Sequence, residues 1–420
     1  MRLLVLCPHF APDTAPTGTV MTRIVEGLAH RGHRLHVVTS LPWYRHHRIE
    51  EGWRGRLVRH DDVDWGRVTR VHPFPTDKTN IPARALAFGA FTAETAALAA
   101  VTRRRPDAVL AMSPPLTLGL AGAGVARLRR APFVFNIQDV FPDAAVETGA
   151  LTDRRVISVA STLERWSYQA ADAVTVLSDD LRDNVVAKLA GHRRGEPGKV
   201  RVIPNFVDTD QIRPGSTDGA YRRELGLEGR TVVLYAGNVG FSQSLDLVVE
   251  AARRFASTRP DVVFLVNGGG SGRTALEAAA DGLANVRFGD FQPADRLADV
   301  LATGDIHLVP LRKGLARASV PSKLYSILAA GRPVLAAVDQ GTEVARTVEK
   351  AGAGIAVPPD DADAFCAGLE RLLADPEAAR GMGARGRAFV EGWASPDAVA
   401  ERYEALFAEL AAFRSGRGDR

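Results

Sequence analysis

Residues 306–337 read IHLVPLRKGLARASVPSKLYSILAAGRPVLAA, and the fold of the whole chain follows from the pattern in this stretch. A short apolar run, Ile306 to Val309, is followed by a polar loop, a segment with helical spacing of apolar residues, and a second apolar run, Pro333 to Ala337. Short apolar runs that flank a helix are typical of parallel strands covered on both faces. The stretch therefore predicts a β-α-β unit.

The same alternation repeats through the chain and restarts after a punctuated segment at residues 204–219. The other strand-like runs are residues 3–7, 35–39, 108–112, 133–137, 173–177, 200–203, 231–235, 262–266, 286–288 and 354–357. This pattern predicts an α/β protein with two doubly wound, Rossmann-like domains that face each other across a cleft. We assign residues 1–205 to the first domain, 206–394 to the second, and 395–420 to a terminal helix that packs back on the first.

Composition is that of a soluble globular protein and indicates an anionic partner. Of 420 residues, 46% are hydrophobic and 24% charged, and the net charge is +4. No stretch interleaves basic and aromatic residues as nucleic-acid grooves do, so an anionic ligand or an anionic membrane surface is expected instead. Cys7 and Cys366 form no disulfide or metal pattern, and the start lacks a signal-peptide pattern, so we expect a cytoplasmic protein. Pro114 and Pro115 divide the low-charge run 108–126 into a strand, a turn and a helix rather than a membrane span.

A one-sign charge strip marks the candidate anion site. Residues 306–338 contain no Asp or Glu but contain His307, Arg312, Lys313, Arg317, Lys323 and Arg332. Such a strip requires either a bound anion or acidic residues from elsewhere in the fold. Ser319 as helix cap and Pro321 in the first turn would place Lys323 at the positive end of a helix dipole, where a cation is disfavoured. Exposed helix amides together with a lysine suit a phosphate or pyrophosphate.

Five segments, taken in order, resemble glycosyltransferase family 4, and most closely its bacterial exopolysaccharide, capsule and O-antigen branch. They are PHFAPDTAPTGTVMTRIVEGLAHRGHRLHVVT, FNIQDVFPDAAVETGAL, KVRVIPNFVD, VLYAGNVG and VPSKLYSILAAGRPV. The resemblance implies the GT-B fold and retaining, metal-independent transfer of a hexosyl or N-acetylhexosaminyl group from a nucleotide sugar, with uridine favoured as the base. It also implies no cofactor, a lipid-linked saccharide or small-molecule acceptor, and a place in the cytoplasm at the inner face of the membrane.

The resemblance assigns the donor diphosphate to the start of the helix that carries Lys323. There we expect Pro321, Ser322, Lys323 and Leu324 to bind the donor, with Arg317 or Arg312 assisting, and Lys323 to stabilise the departing diphosphate.

In the first domain, the loop Ala15–Thr19 is expected to lie between the donor phosphate and the acceptor. Gly18 is assigned to the donor, because glycine lets the backbone approach a ligand, and Thr17 and Thr19 to the acceptor side. Gln138 and Asp139 stand where many members have a histidine that contacts the transferred sugar, so both are expected to bind sugar hydroxyls.

The second domain departs from the family. Asn238 and Gln243 stand where members have a phosphate-binding arginine and lysine. With Gly240 of the same loop they are still expected to bind the donor, because neutral amides can hydrogen-bond a phosphate although they cannot neutralise it. Ser326 stands where a glutamate contacts ribose in relatives. After the strand VRFG, Asp290 and Phe291 are expected near the base.

Other functions fit parts of the pattern. Gly270-Ser-Gly272-Arg-Thr-Ala275 followed by Asp290 matches a dinucleotide fingerprint, which would suit an NAD-dependent oxidoreductase. A nucleotide-sugar epimerase, a transferase that modifies a soluble natural product, and a two-lobed solute-binding protein are further alternatives. The basic and aromatic segment RHHRIEEGWRGRLVRH, with Trp43, Tyr44 and Trp53 nearby, suits either an anionic membrane or an acceptor-side loop.

Overall fold

The computed structural model describes residues 1–75, 81–102, 104–143, 146, 151–191, 196–314 and 323–418. The chain divides into two compact units. Unit one comprises Met1–Asn205 and Val399–Arg420, and unit two comprises Phe206–Ala398. The chain thus passes between the units twice, once inside the segment expected to join the domains and once in the last helix.

Unit one is built on one sheet. Its strands are β1 (Arg2–Leu6), β2 (Arg34–Ser40), β3 (Val58–Val63), β4 (Gly66–Val71), β5 (Ala108–Ser113), β6 (Phe133–Ile137), β7 (Ala173–Val176) and β8 (Val200–Val202). Their order is β3-β4-β2-β1-β5-β6-β7-β8, and every described pairing is parallel except that of β3 with β4. Every residue of β5, β6 and β7 is buried, as expected for strands with helices on both faces.

Helices cover this sheet, and two of them begin at a side-chain cap. They are α1 (Pro16–His30), α2 (Ile81–Ala100), α3 (Leu118–Arg129), α4 (Arg154–Ala170) and α5 (Asp179–Leu189). The Asp153 carboxylate accepts hydrogen bonds from the first turn of α4, and the Ser178 hydroxyl does so for α5, which satisfies amides that have no partner inside the helix.

Unit two contains a six-stranded sheet. Its strands are β9 (Thr231–Ala236), β10 (Val262–Asn267), β11 (Val286–Gly289), β12 (Ile306–Pro310), β13 (Val334–Ala337) and β14 (Gly354–Val357). The order is β11-β10-β9-β12-β13-β14 with all described pairs parallel. Alternate residues of β9 serve different cores: Val233 and Tyr235 pack on one face, and Val232 and Leu234 on the other.

The helices of unit two are α6 (Ala220–Glu224), α7 (Asp246–Thr258), α8 (Arg273–Ala279), α9 (Leu297–Thr303), α10 (Lys323–Ala329), α11 (Glu343–Ala351), α12 (Ala362–Ala374) and α13 (Pro376–Trp393). The predicted fold class, two Rossmann-like doubly wound domains, is confirmed. Each apolar run from the sequence corresponds to a strand, and the low-charge run 108–126 is β5, a turn and α3, as predicted.

The hairpin β3–β4 was not predicted. Its sequences VRHDDV and GRVTRV carry charges on both faces, and β3 has no buried residue. A polar edge strand lacks the apolar signal from which the other strands were identified, and such charges protect a sheet edge from further pairing. In the neighbouring loop, Trp53 lies under the guanidinium of Arg59 at 4.2 Å and near that of Arg70 at 5.0 Å.

The terminal helix α14 (Pro396–Gly418) packs on the first sheet, as predicted. Tyr403 is 1% exposed, and its hydroxyl accepts a hydrogen bond from Asn136 Nδ2 at 2.9 Å and lies 3.3 Å from Thr175 Oγ1. Glu404 binds Arg31 at 2.6 Å and His33 at 2.9 Å. None of the described helices is long and apolar enough to cross a membrane.

We predict that Tyr403→Phe lowers the free energy of unfolding of unit one by about 1–2 kcal/mol, because Asn136 loses a buried hydrogen-bond partner. Urea denaturation followed by circular dichroism measures this change. Tyr44→Phe is the matched control, since Tyr44 is exposed. Equal stability of the two variants would contradict the anchoring role of the Tyr403 hydroxyl.

Candidate active site

The candidate site in unit two lies where its strand order reverses direction. β9 and β12 are parallel neighbours, with His307 paired to Leu234, and successive strands lead away from them in opposite directions. In open parallel sheets, ligands bind at the carboxyl ends of the strands at such a switch point. Tyr235 lies near the carboxyl end of β9, and Lys323 begins the helix that follows β12.

Lys323 is held by an aromatic side chain rather than by an acid. Its Nζ donates to Tyr235 Oη at 2.9 Å and lies 4.2 Å from the centre of the Tyr235 ring. The Tyr235 hydroxyl in turn donates to the carbonyl of Asn238 at 2.5 Å. No carboxylate of the described residues forms an ion pair with Lys323. Burial lowers the pKa of the Lys323 ammonium to about 8 and raises the pKa of Tyr235.

A glycine makes this contact possible. Gly237 has φ +141°, and a Cβ there would lie 3.2 Å from Lys323 Nζ. A larger residue would therefore crowd the ammonium and would be strained in this backbone conformation. The ammonium is half-buried, positively charged at neutral pH and free of a counterion among described residues, which is the environment expected for an anion-binding group.

Two arginines of the acid-free strip are held by residues distant in sequence, and its histidine is buried. Arg312, expected to assist at the phosphate, instead pairs with Asp246 at 2.8 Å and donates to the carbonyl of Phe241 at 3.0 Å. Arg332 donates to the carbonyls of Gly215 and Ala302. Burial is the main reason that the pKa of His307 falls to about 3, so this residue is neutral.

The loop after β9 holds itself together through amide groups. Gln243 Oε1 accepts from the Gly240 amide at 3.0 Å, and Gln243 Nε2 donates to Ser242 Oγ at 2.8 Å. Gln243 thus shapes the loop, whereas the side chain of Asn238 is exposed. Neither carries charge, so these two side chains could donate hydrogen bonds to a phosphate but could not balance its charge as Lys323 could.

The glycine-rich turn after β10 is engaged in backbone pairing. The Gly272 amide donates to the Val239 carbonyl at 2.9 Å, and the Val239 amide donates to Gly269 at 2.8 Å. A Cβ at Gly268, where φ is +142°, would lie 2.0 Å from the Gly237 carbonyl oxygen. The glycines therefore let two loops pack together, and the Gly272 amide is not available to cradle a dinucleotide pyrophosphate.

Asp290 and Phe291 lie at the carboxyl end of β11, beside this turn. Arg273 donates to the Gly289 carbonyl at 2.7 Å and lies 3.2 Å from the Asp290 carboxylate. Phe291 is 61% exposed, and its ring lies 3.5 Å from where a Cβ of Gly269 would be. An exposed aromatic ring beside glycine backbone can stack on a planar base.

The remaining residues that the sequence assigns to the donor lie between β12 and the end of α10 along the chain. Arg317, Pro321 and Ser322 lie outside the described residues. Leu324 is fully buried in the core of unit two, so only its backbone could contact a ligand. Ser326 is half-buried on α10.

In unit one, Gly18 is needed for packing. It lies inside α1, and a Cβ there would lie 2.8 Å from His9 Cβ. Thr17 is half-buried and Thr19 is exposed on the same turn. The helix thus packs tightly on the loop that follows β1.

That loop contains a His–Asp pair that was not identified from the sequence. His9 Nδ1 lies 2.7 Å from Asp13 Oδ2, and the Asp13 side chain has no exposed surface. The Tyr44 amide donates to Asp13 at 3.3 Å, and the Trp43 ring stacks on His9 at 5.6 Å between centroids. The pair lies at the carboxyl end of β1, next to β5, which is the switch point of this sheet.

Gln138 differs from the expected sugar-binding group. It is 7% exposed, its Nε2 donates to Asn136 Oδ1 at 2.8 Å, and its Oε1 accepts from Asn205 Nδ2 at 2.9 Å. Asn136 also binds Tyr403. The amide side chains of Gln138, Asn136 and Asn205 therefore link three parts of unit one, namely the end of β6, the residue after which the chain enters unit two, and the terminal helix α14. Asp139 has an exposed side chain, and partial desolvation raises its pKa.

Tyr235, His9 and Asp13 were thus missed by sequence reasoning. Tyr235 belongs to an apolar strand, where a tyrosine is normally a core residue. His9 and Asp13 lie in a loop that contains Pro8 and Pro12, so their i, i+4 spacing does not indicate a shared helix face, and the pair has no metal pattern. Among the described residues, no three His, Cys, Asp or Glu side chains lie close enough to hold a metal ion.

We predict that Lys323 loses its proton near pH 8, about two pH units below the ordinary value for a lysine side chain. Nuclear magnetic resonance of ¹³C-methylated lysines measures this, since the chain has only six lysines. Tyr235→Phe should lower the Lys323 pKa further, because the charged form loses a hydrogen-bond acceptor. The anion-binding charge is therefore present below about pH 8 and lost above it.

Lys323→Arg assigns the resonance by removing it. A Lys323 resonance with the ordinary pKa of a lysine would contradict the desolvated site. So would a pKa of Lys323 that Tyr235→Phe leaves unchanged.

Comparisons with known proteins agree with this fold. A model described as glycosyl transferase 4-like domain matches residues 17–205, and one described as glycosyl transferases group 1 matches residues 230–375. The Escherichia coli K12 protein WcaI, described as a glycosyl transferase of colanic acid biosynthesis, is 28% identical over 90% of this chain and 93% of its own length.

Solved structures share the architecture. Sucrose-phosphate synthase from Thermosynechococcus elongatus superposes with a TM-score of 0.65 at 19% identity, over 98% of this chain and 100% of that one. Anabaena HepE in complex with UDP gives a TM-score of 0.65 at 15% identity, with the same coverage. The packing of two loops explains the glycines of the segment 270–275, which matches an oxidoreductase fingerprint. One family accounts for the order of the domains, strands and motifs. The chain belongs to glycosyltransferase family 4, with the two Rossmann-like domains of the GT-B fold.

Proposed function

We propose that this glycosyltransferase moves a hexose or N-acetylhexosamine from a uridine diphosphate sugar to a hydroxyl group of a lipid-linked saccharide, with retention of configuration, in bacterial polysaccharide assembly. The observation that carries the proposal is the Lys323 ammonium at the switch point of unit two, held by Tyr235 without a counterion among described residues. Similarity to a colanic acid enzyme supports the acceptor class, and the fold shared with UDP-bound HepE supports the base.

In the proposed reaction the bond between the anomeric carbon and the diphosphate oxygen breaks, and its electron pair stays on the diphosphate. The acceptor oxygen bonds the anomeric carbon on the same face and gives up its proton to the departing diphosphate oxygen. Lys323 stabilises the charge that develops on the departing diphosphate, and Tyr235 keeps the ammonium in place. Such preorganised charge is typically the largest contribution to catalysis.

On the acceptor side we propose that His9 and Asp13 bind the reacting hydroxyl. Asp13 fixes the proton of His9 on Nδ1, which leaves Nε2 with a lone pair that can accept a hydrogen bond from the acceptor. Trp43 and Tyr44 flank the imidazole and offer the aromatic surface on which sugar rings stack. Gln138 does not contact sugar in this proposal, since both of its polar atoms bind protein.

We place the reaction in the cytoplasm, with the lipid-linked acceptor reached at the inner face of the membrane. Cys7 and Cys366 are both free and buried, which fits a reducing compartment. Two of the aromatic residues that suit membrane contact have protein partners. Trp43 stacks on His9, and Trp53 lies under Arg59.

The experiment that tests the donor is a thermal-shift panel with UDP, GDP, dTDP, ADP and NAD, followed by kinetics with the matching sugar. We expect UDP alone to stabilise the protein, by about 2.7 kcal/mol at 100 times its dissociation constant. Lys323→Ala should lower kcat by about 10²–10³ because the leaving diphosphate loses its charge contact.

Lys313→Ala is the matched control, because Lys313 lies in the same charge strip but is exposed. An unchanged kcat of Lys323→Ala at saturating donor would remove the lysine from its role. Stabilisation by NAD alone would overturn the proposed function.

We predict that Asp13→Asn lowers kcat by about 10²-fold, because His9 loses its fixed tautomer and a hydrogen-bond acceptor. The affinity for UDP, measured by calorimetry, should stay within about twofold. Asp62→Asn is the control at an exposed carboxylate of the same unit. A normal kcat of the Asp13→Asn enzyme would contradict an acceptor-side role. So would a loss of UDP affinity as large as the fall in kcat.

A further inference from the structure

Unit one contains a cavity of about 590 Å³ away from the carboxyl edge of its sheet. It is lined by the first residues of β1, β2 and β4 and by the carboxyl end of α2. These are the amino-terminal halves of the strands, whereas His9 and Asp13 follow the opposite end of β1. The cavity is therefore separate from the proposed acceptor site, and its size suits a small organic ligand.

Basic side chains dominate its polar lining. Among the described residues that line it none is Asp or Glu, and the basic ones are Arg2, Arg34, His36, His60, Arg67 and Arg104. Two of the arginines have protein partners. Arg67 forms an exposed ion pair with Asp62 at 2.7 Å, and Arg34 donates a hydrogen bond to the Asp64 carbonyl at 2.6 Å.

The guanidinium groups of Arg2 and Arg104 have no hydrogen bond or ion pair with any residue that the structure describes. The Asp107 carboxylate near Arg2 binds the backbone amide of Arg2 at 2.7 Å instead. Unpaired guanidinium groups around one concavity repel one another, and a bound anion would relieve that repulsion.

Two histidines share one hydroxyl at the wall of the cavity. His36 Nε2 lies 2.9 Å and His60 Nδ1 lies 3.0 Å from Thr69 Oγ1. Burial is the main reason that the pKa of His36 falls to about 4, and the nearby charges of Arg67 and His60 lower it further. Both rings line the cavity, so their resonances would report an anion bound within it.

The remaining lining is apolar. Leu98, Val101 and Pro106 lie on the α2 side, and Val101 is 74% exposed. A ligand that fits both halves of this surface combines an anionic group with an apolar part. Guanidinium groups bind phosphate oxygens through paired N–H donors, and several of them together favour a phosphate over a single-charge carboxylate.

We propose that this cavity binds an organic phosphate, with its phosphate among Arg2, Arg34 and Arg104 and its apolar part against Leu98 and Val101. The site is independent of the donor and acceptor sites proposed above. The phosphate could belong to a soluble phosphate ester or to a lipid, and the two sources share this recognition chemistry.

The test is calorimetry and histidine NMR of the full chain with inorganic phosphate, n-octyl phosphate and, as an uncharged control, n-octyl glucoside. We expect saturable 1:1 binding of n-octyl phosphate that shifts the His36 and His60 resonances and raises the His36 pKa. Arg2→Gln/Arg104→Gln should weaken this binding at least tenfold. The double variant Arg154→Gln/Arg155→Gln removes the same charge from exposed positions on α4 and should leave it unchanged.

Val101→Glu is a second variant, which places an acid at an exposed lining position and should also weaken binding. A preference for octyl phosphate of tenfold or more would assign a lipid phosphate, and a smaller preference a soluble phosphate ester, whereas equal affinities for inorganic and octyl phosphate would overturn the contact with Leu98 and Val101. Absence of saturable binding would overturn the proposal. So would binding that Lys323→Ala abolishes and Arg2→Gln/Arg104→Gln leaves intact, because it would then occur at the donor site.

Discussion

The parallel pairing of β9 with β12 is the constraint on which the candidate site depends. Because these strands are neighbours with the same direction, the residues at their carboxyl ends emerge side by side. Tyr235 and Lys323 meet there, although 88 positions separate them in the chain. The apolar faces of the sheet hold this geometry, since alternate residues of β9 are buried in cores on both sides.

The two units prepare their sites with different electrostatics. In unit two a partly desolvated ammonium is held by a hydroxyl and an aromatic ring, an arrangement that leaves its charge for a ligand. In unit one a buried carboxylate holds an imidazole through Nδ1, and in the proposed function the other ring nitrogen accepts a hydrogen bond from the acceptor. The first suits a leaving group that gains negative charge as its bond breaks, and the second suits a hydroxyl group that donates a hydrogen bond before it reacts.

Much of the architecture could be predicted because its signals are local. Apolar runs bounded by polar loops correspond to the parallel strands of both sheets. The hairpin β3–β4 was not predicted, because β3 is rich in charged residues and none of its residues is buried. The candidate site was predicted only in part. Lys323 stood out as a lysine in an acid-free stretch, but its partner Tyr235 looked like any strand residue. Gln138 looked like a ligand-binding amide and is buried among Asn136 and Asn205.

The amino-acid sequence by itself determined the alternation of strands and helices, and with it the two doubly wound domains, because hydrophobic periodicity is a property of neighbouring residues. It also determined which basic residues stand together along the chain. Only the tertiary structure decided which of these charges remain available. Arg312 is neutralised by Asp246, 66 positions away, whereas Lys323 meets a tyrosine. Coulomb interactions depend on distance through space and on burial, and neither can be read from separation along the chain.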